Sequence, residues 1–221
     1  MWDTGWDKVF ENSRWGRYPP EELLRFMARN FYGASDRSKV CVLEVGCGPG
    51  ANLWYVAREG FTTFGMDGSA VALERAKHRC AEESVSVDLR QADAMQLPYE
   101  DQSFDAVFEL ECIYANSKKD SKKIIHEVHR VLKPGGMFFS KTFATGTDGD
   151  GRGTLVEGEP HTYINIKDSV LHEGYGIVRF TDEGEIPELY GIFNSIQYEY
   201  IIRSDSNRKY EIREWLITCK K

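Results

Sequence analysis

Val42-Leu43-Glu44-Val45-Gly46-Cys47-Gly48-Pro49-Gly50-Ala51 is an apolar run, interrupted by one carboxylate, that breaks into alternate glycines. A short apolar run bounded by glycine reads as a buried strand, and the residues after it read as a helix. Glycine has no Cβ and accepts φ > 0, so such a turn lets the backbone approach a ligand closely. One helix and one strand later the chain reaches Asp67 in Thr62-Thr63-Phe64-Gly65-Met66-Asp67-Gly68-Ser69. A carboxylate at the tip of a second strand can accept hydrogen bonds from ribose hydroxyls, so the two stretches together predict a nucleoside-binding α/β unit. Gly46-x-Gly48-x-x-Ala51 also satisfies the dinucleotide fingerprint, which leaves a nicotinamide-dependent oxidoreductase open. Glu44 weighs against it, because a dinucleotide would bring pyrophosphate charge close to that carboxylate. A cationic ligand suits the position better.

Outward from this turn, strands at 40–45, 61–66, 86–90, 104–109 and 137–143 alternate with helices at about 50–59, 69–82 and 120–132. Such a succession implies a parallel sheet with right-handed crossovers. The tail differs: SIQYEYIIRS and YEIREWLITCK are β-rich runs around a turn, which reads as a hairpin. At the other end, Trp2, Trp6 and Phe10 read as aromatics packed onto the sheet. Leu23, Leu24, Phe26, Met27 and Phe31 form a broad apolar helical face after Pro19-Pro20.

The 221 residues suffice for one well-cored α/β domain, and the formal charge of −7 provides no field that draws the chain to nucleic acid. Lys118, Lys119, Lys122 and Lys123 read as a solvated helix start. A small-molecule substrate follows, with no nucleic acid and no membrane as partners, and a monomer or homodimer as the state of the chain. The five cysteines, Cys41, Cys47, Cys80, Cys112 and Cys219, show neither metal-site spacing nor pairing, so no metal is expected. No apolar run reaches membrane-span length and the start lacks a signal-peptide layout, so a cytoplasmic location is expected.

Five motifs then stand in order: the glycine turn EVGCGPG, the acid in GMDGS, Asp93-Ala94 before Leu97-Pro98, the FDAVFE strand, and VLKPGG leading into a strand. In this the chain resembles the class I S-adenosylmethionine-dependent methyltransferases over about residues 38–145. The resemblance implies a Rossmann-like doubly wound sheet of about seven strands, mostly parallel with a C-terminal antiparallel hairpin, plus an N-terminal helical cap. It implies one domain over 1–221, divided into the cap (1–36), a cofactor-binding core (37–143), an acceptor-side insertion or lid (144–176), and a C-terminal helix with edge hairpin (177–221). S-adenosyl-L-methionine is the implied cofactor, and a small metabolite methylated at O, N or C is the implied acceptor.

Carried over by position, Gly46, Cys47 and Gly48 resemble the turn under the methionine part, with Glu44 supporting the turn or the amino group. Asp67, with Gly68 and Ser69, resembles the ribose site, while Ser69 could itself cap the following helix. Asp93 and Ala94 resemble the adenine site. Related enzymes fold their leading helices over the cofactor, which brings in Trp15 and Arg17. Glu109, ending the FDAVFE strand, is a carboxylate that could face the sulfonium or bind a cationic acceptor. The acceptor side is expected from Glu111, Cys112, Tyr114 and Asn116 and from the insertion Ala144–Tyr175, with His161, Tyr163 and Tyr114 as catalytic or acceptor-positioning candidates.

Within the insertion, Asp148-x-Asp150-x-Arg152-Gly153 with Glu159 mimics a calcium loop, but a cation at the fifth position argues against one. A flexible, glycine-hinged lid over 145–163 is expected instead. His126 and His129 read as surface residues. Two other functions stay open: self-consumption of S-adenosylmethionine by cyclisation or elimination, and a non-catalytic binding module.

Overall fold

In the computed structural model, described over residues 4–13, 15–169, 171 and 176–221, the glycine turn follows a strand buried on both faces. The expectation for Trp2 and the end of the insertion at Tyr175 lie outside the described residues. In chain order the helices are α1 (Gly5–Asn12), α2 (Glu21–Asn30), α3 (Leu53–Arg58), α4 (Ala70–Glu82), α5 (Lys118–Val131) and α6 (Ile186–Tyr190). The strands are β1 (Cys41–Val45), β2 (Thr62–Asp67), β3 (Asp88–Gln91), β4 (Phe104–Leu110), β5 (Leu132–Phe143), β6 (Thr154–Leu155), β7 (Thr162–Ile164), β8 (Val178–Arg179), β9 (Ser195–Asp205) and β10 (Tyr210–Lys220).

The main sheet has the order β3-β2-β1-β4-β5-β10-β9. Its first five strands are parallel, and β10 runs against both of its neighbours. This is a Rossmann-like α/β sheet with an antiparallel edge pair. Strand order reverses between β1 and β4, and open α/β sheets bind ligands beyond the carboxyl ends of the strands at such a point.

Alternate residues of each strand go to opposite helical layers, as a period of two requires. Leu43, Val45, Val107 and Phe138 pack with Ile124, Ile125, Val128 and Val131 of α5 and with Ile186 and Leu189 of α6. Val42, Ala106, Phe108 and Phe139 pack with Leu23, Phe26 and Met27 of α2 and Val56 of α3. Thus α2 is a core helix of the sheet, and it is α1 that stands beside the glycine turn.

Local chemistry sets the boundaries. The helix expected from about residue 50 begins at Leu53, because Gly50 holds a left-handed φ of +74° inside the turn. α4 is capped by Ser69, whose Oγ accepts from Ala72 N at 3.1 Å, and α5 by Ser117, whose Oγ accepts from Asp120 N at 3.1 Å. The lysine cluster falls in the first turns of α5, where Lys118 pairs with Glu188 and Lys123 with Asp120.

The insertion is a correction to the expected glycine-hinged loop. β6, β7 and β8 form a three-stranded antiparallel sheet, in which Val156 N donates to Thr162 O at 2.8 Å. It rests on a satellite core of Phe143, Ile166, Leu171, Val178, Phe180 and Ile212. A segment with buried apolar residues and paired backbone does not behave as an open loop. The acids of the calcium-loop mimic are separately engaged: Asp148 pairs with Arg152, Asp150 accepts from Gly146 N, and Glu159 accepts from Lys118 N.

Candidate cofactor cleft

The cleft opens at the carboxyl ends of β1, β2 and β4, and its volume is about 210 Å³. Its floor is the glycine turn, with Gly46 at φ +68° and Gly48 at φ +50°. A Cβ on Gly46 would run into the Cys112 side chain, so this backbone tolerates no side chain there. At Gly48 a Cβ would meet Phe10 and Trp15 only at ordinary contact distance, 3.6 and 3.8 Å, so its need for glycine is conformational. Gly50 serves packing, since a Cβ would lie 2.9 Å from the Cβ of Ala76 on α4.

Glu44 is 2% exposed and lines the cleft. Its Oε1 accepts from Asn52 Nδ2 at 2.6 Å, while its buried Oε2 has no partner among the described residues. Burial pushes its carboxyl well above the ordinary value, opposed by the Asn52 hydrogen bond and reinforced by the charges of Asp67 and Glu109. An orphaned buried carboxylate oxygen is costly unless a donor or cation completes it.

Asp67 is also buried. Its Oδ2 accepts from Gly48 N and its Oδ1 from Ser69 N, both at 2.8 Å, so it ties the glycine turn to the end of β2. Burial raises its pKa against the pull of these backbone donors. Gly68, Asp93 and Ala94 line the adjoining wall with Ala92 and Met95, and Asp93 Oδ1 accepts from Met95 N at 2.9 Å. Trp6, Phe10 and Trp15 form the opposite wall, with Phe10 and Trp15 ring centroids 5.1 Å apart.

At the far end stand Glu111, Asn116, Ser117 and Asp120. Glu111 has a left-handed φ of +61° and is held by Lys141, whose Nζ lies 3.3 Å from Glu111 and 2.9 Å from the fully buried Glu214. Burial, against the nearby Lys141, pushes Glu111 up to about 7.

Several expected site residues lie elsewhere. Ser69 is a helix cap that also donates to Asp7 of α1, and it does not line the cleft. Glu109 faces away from it: its carboxylate accepts from Cys112 N at 2.8 Å, Ile113 N at 3.1 Å and Ser140 Oγ, and it is wholly buried. Glu109 therefore anchors the loop after β4 and does not line the cleft, contrary to the expectation that it faces a sulfonium or a cationic acceptor. Tyr114 is buried behind the wall, between the rings of Trp6 and Phe143. His161 and Tyr163 sit on the three-stranded sheet, with His161 Nδ1 3.3 Å from Asp150 and Tyr163 packed on Phe180. None of the three catalytic candidates lines the cleft. Arg17 pairs with Glu82 and Glu83 on the outer side of α4. His126 is exposed, whereas His129 is half-buried against Phe193. Sequence reasoning missed Asn52, which orients Glu44, and assigned Trp6 and Phe10 to packing; their one-face helical spacing is equally that of a core helix.

The glycine cradle, the orphaned Glu44 oxygen beneath it and the aromatic wall fit a nucleoside carrying a cationic amino-acid tail. The family described as "Methyltransferase domain" matches residues 42–136. The chain carries a class I, S-adenosylmethionine-dependent methyltransferase domain. Among curated relatives, norajmaline N-methyltransferase of Rauvolfia serpentina is 32% identical over 133 residues, 56% of this chain and 42% of its own length. Fatty-acid O-methyltransferase of Mycolicibacterium smegmatis is 31% identical over 147 residues, 60% of this chain and 52% of its own. The chain thus spans about half or less of the length of these relatives. In fold, an S-adenosylmethionine-dependent methyltransferase of Methanosarcina mazei superposes with a TM-score of 0.70 at 20% identity, over 94% of this chain and 99% of that one. A phosphoethanolamine N-methyltransferase of Haemonchus contortus, solved with phosphomonomethylethanolamine and S-adenosylhomocysteine, gives 0.67 at 20% identity, over 98% of this chain and 56% of that one. No helix among the described residues is long and apolar enough to cross a membrane.

Proposed function

We propose that this chain transfers the methyl group of S-adenosylmethionine to O, N or C of a small acceptor by in-line displacement. The observation that carries the reading is the buried Oε2 of Glu44, unpartnered among the described residues, beside a glycine turn that admits no side chain at Gly46. That oxygen suits an ammonium and would oppose a pyrophosphate, which favours S-adenosylmethionine over a nicotinamide dinucleotide. When bound, S-adenosylmethionine supplies an electrophilic methyl on a sulfonium; the rest of the work is positioning.

In this reading Glu44 binds the amino group, oriented by Asn52, and Asp67 and the turn hold the ribose end. Asp93 and Ala94 hold the adenine. Trp6, Phe10 and Trp15 exclude water from the cleft. Glu111, fixed by Lys141, with Asn116 and Ser117, holds the acceptor and can take up a proton that it loses. The five free cysteines suit a reducing compartment such as the cytoplasm.

The test is incubation of the purified chain with S-adenosylmethionine, with and without candidate acceptors, followed by separation of products. S-adenosylhomocysteine formed only with acceptor supports transfer, whereas cofactor consumed without one would mean self-consumption. Calorimetry that shows NADH but not S-adenosylhomocysteine binding would overturn the reading.

A further inference from the structure

β9 is the outer strand of the main sheet, and among the described residues no strand pairs with its outer edge. It pairs with β10 in an unbroken register from Ser195↔Lys220 to Asp205↔Tyr210. Its eleven residues, SIQYEYIIRSD, include no proline, glycine or lysine. Natural edges are blunted by bulges, prolines, charged side chains or a covering element, because an open row of N–H and C=O groups invites another strand; of these β9 has only the charges of Glu199, Arg203 and Asp205 among the described residues. One face of β9 carries Tyr198, Tyr200 and Ile202, which are 38%, 61% and 51% exposed. The two tyrosine rings stand edge-on to the buried Trp215, at 5.8 and 5.7 Å, so this apolar stripe is supported from below and open above.

We propose that a second copy of this chain pairs antiparallel along β9 about a two-fold axis at Ile201, which joins the two main sheets edge to edge. Charge selects that register. With the axis at Ile201, Glu199 of each copy opposes Arg203 of the other, Tyr200 opposes Ile202, and Ile201 opposes itself. An axis at Glu199 would set two like carboxylates against each other, and one at Ile202 would set Glu199 against Asp205. An axis at Tyr200 would leave Glu199 opposite Ile201 and Arg203 opposite Gln197. Opposite-charge and aromatic–aliphatic pairs directly across strands stabilise a sheet, and like charges destabilise it. Arg203 reaches Glu214 at 3.5 Å and Asp205 at 3.8 Å, and its side chain is half exposed, so it can turn outward. The interface is isologous and closes at two copies. β5 and β10 separate β9 from β4, so each copy keeps its cleft clear of the joint.

Sedimentation velocity of the full chain over roughly 1 to 100 µM tests this. A reversible dimer is expected, weakened about tenfold or more by Glu199→Arg and by Ile202→Lys, with the doubly exchanged Glu199→Arg/Arg203→Glu recovering most of the loss. Thermal melts of each variant separate lost pairing from lost folding. A monomer at every concentration would overturn the proposal, as would a dimer unmoved by Glu199→Arg and Ile202→Lys. If the double exchange fails to recover while melting normally, the axis at Ile201 is wrong.

Discussion

Replacing Glu44 with Gln should move two measurable quantities in opposite directions. In the free protein the carboxylate is buried, Asn52 satisfies one oxygen and the other has no partner among the described residues. A buried group in that state destabilises the fold, and its pKa is driven up by desolvation. A raised folded-state value means that its contribution to stability is fully present below the ordinary 4.5 and is lost as pH rises through the folded value. Gln reproduces the protonated form and keeps an oxygen for Asn52, so at pH 8 the variant should melt higher than the parent and the gain should shrink toward pH 4. Ligand binding should change the other way. Loss of a charge-assisted contact to an ammonium costs about 1.5 to 3 kcal/mol, or roughly 10- to 150-fold in Kd for S-adenosylhomocysteine. Calorimetry and thermal melting on the same preparation check both. Affinity within about twofold of the parent would refute the ammonium site, and a variant that lost stability as well as affinity would refute the orphaned-oxygen argument.

Glu109 has its carboxyl pushed up to about 7 by burial, so parental stability should fall as pH rises from 4.5 through 7, by up to about 3 kcal/mol from this group. Glu109→Gln should flatten that part of a plot of Tm against pH, and an unchanged slope would count against the assignment. Lys141→Met leaves Glu111 and Glu214 without their shared cation and should cost about 3 kcal/mol or more at pH 8, with a smaller loss at pH 4 where Glu111 is protonated; denaturant titration at the two values checks it. Gly46→Ala forces a Cβ into Cys112 at a left-handed φ and should cost about 1 to 3 kcal/mol together with cofactor affinity, and adding Cys112→Gly, which removes both the Cβ and the Sγ that the new methyl would meet, should return the steric share but not the conformational one.

The parts of the site that were legible in the sequence lie at fixed offsets from the glycine turn. Glu44, Gly46, Gly48 and Asp67 end parallel strands whose register is set by one short crossover, so their place follows once the strands are recognised. Side-chain direction was readable too, had the period of two been applied to β4: Val107 faces α5, so Glu109 must share that face and turn away from the α2 side where Glu44 lies. His161 and Tyr163 were not placeable in this way. Their position depends on β6 and β7 folding back on β8, a pairing across a long and glycine-rich segment whose local sequence carries little signal. Trp6 and Phe10 failed for a different reason, since an apolar helical stripe looks the same whether it meets a core or a cleft.

The distribution of charge in the cleft bears on which step each residue controls. Among the described residues its lining includes Glu44, Asp67, Asp93, Glu111 and Asp120, and no lysine, arginine or histidine. A methyl transfer from a sulfonium consumes the positive charge on sulfur while the ammonium of the same molecule keeps its own. A carboxylate that holds the ammonium therefore stabilises ground state and transition state alike, and its loss should raise KM with kcat unchanged. A carboxylate close to the sulfur would favour the charged ground state, and relieving it would raise kcat instead. In the proposed reading Glu44, under the glycine turn, is of the first kind, and Glu111, at the other end of the cleft and clamped by Lys141, is the group proposed to meet the acceptor. Glu111→Gln should accordingly lower kcat and remove a pH dependence near 7, while Glu44→Gln moves KM alone; the reverse pattern would exchange the two roles.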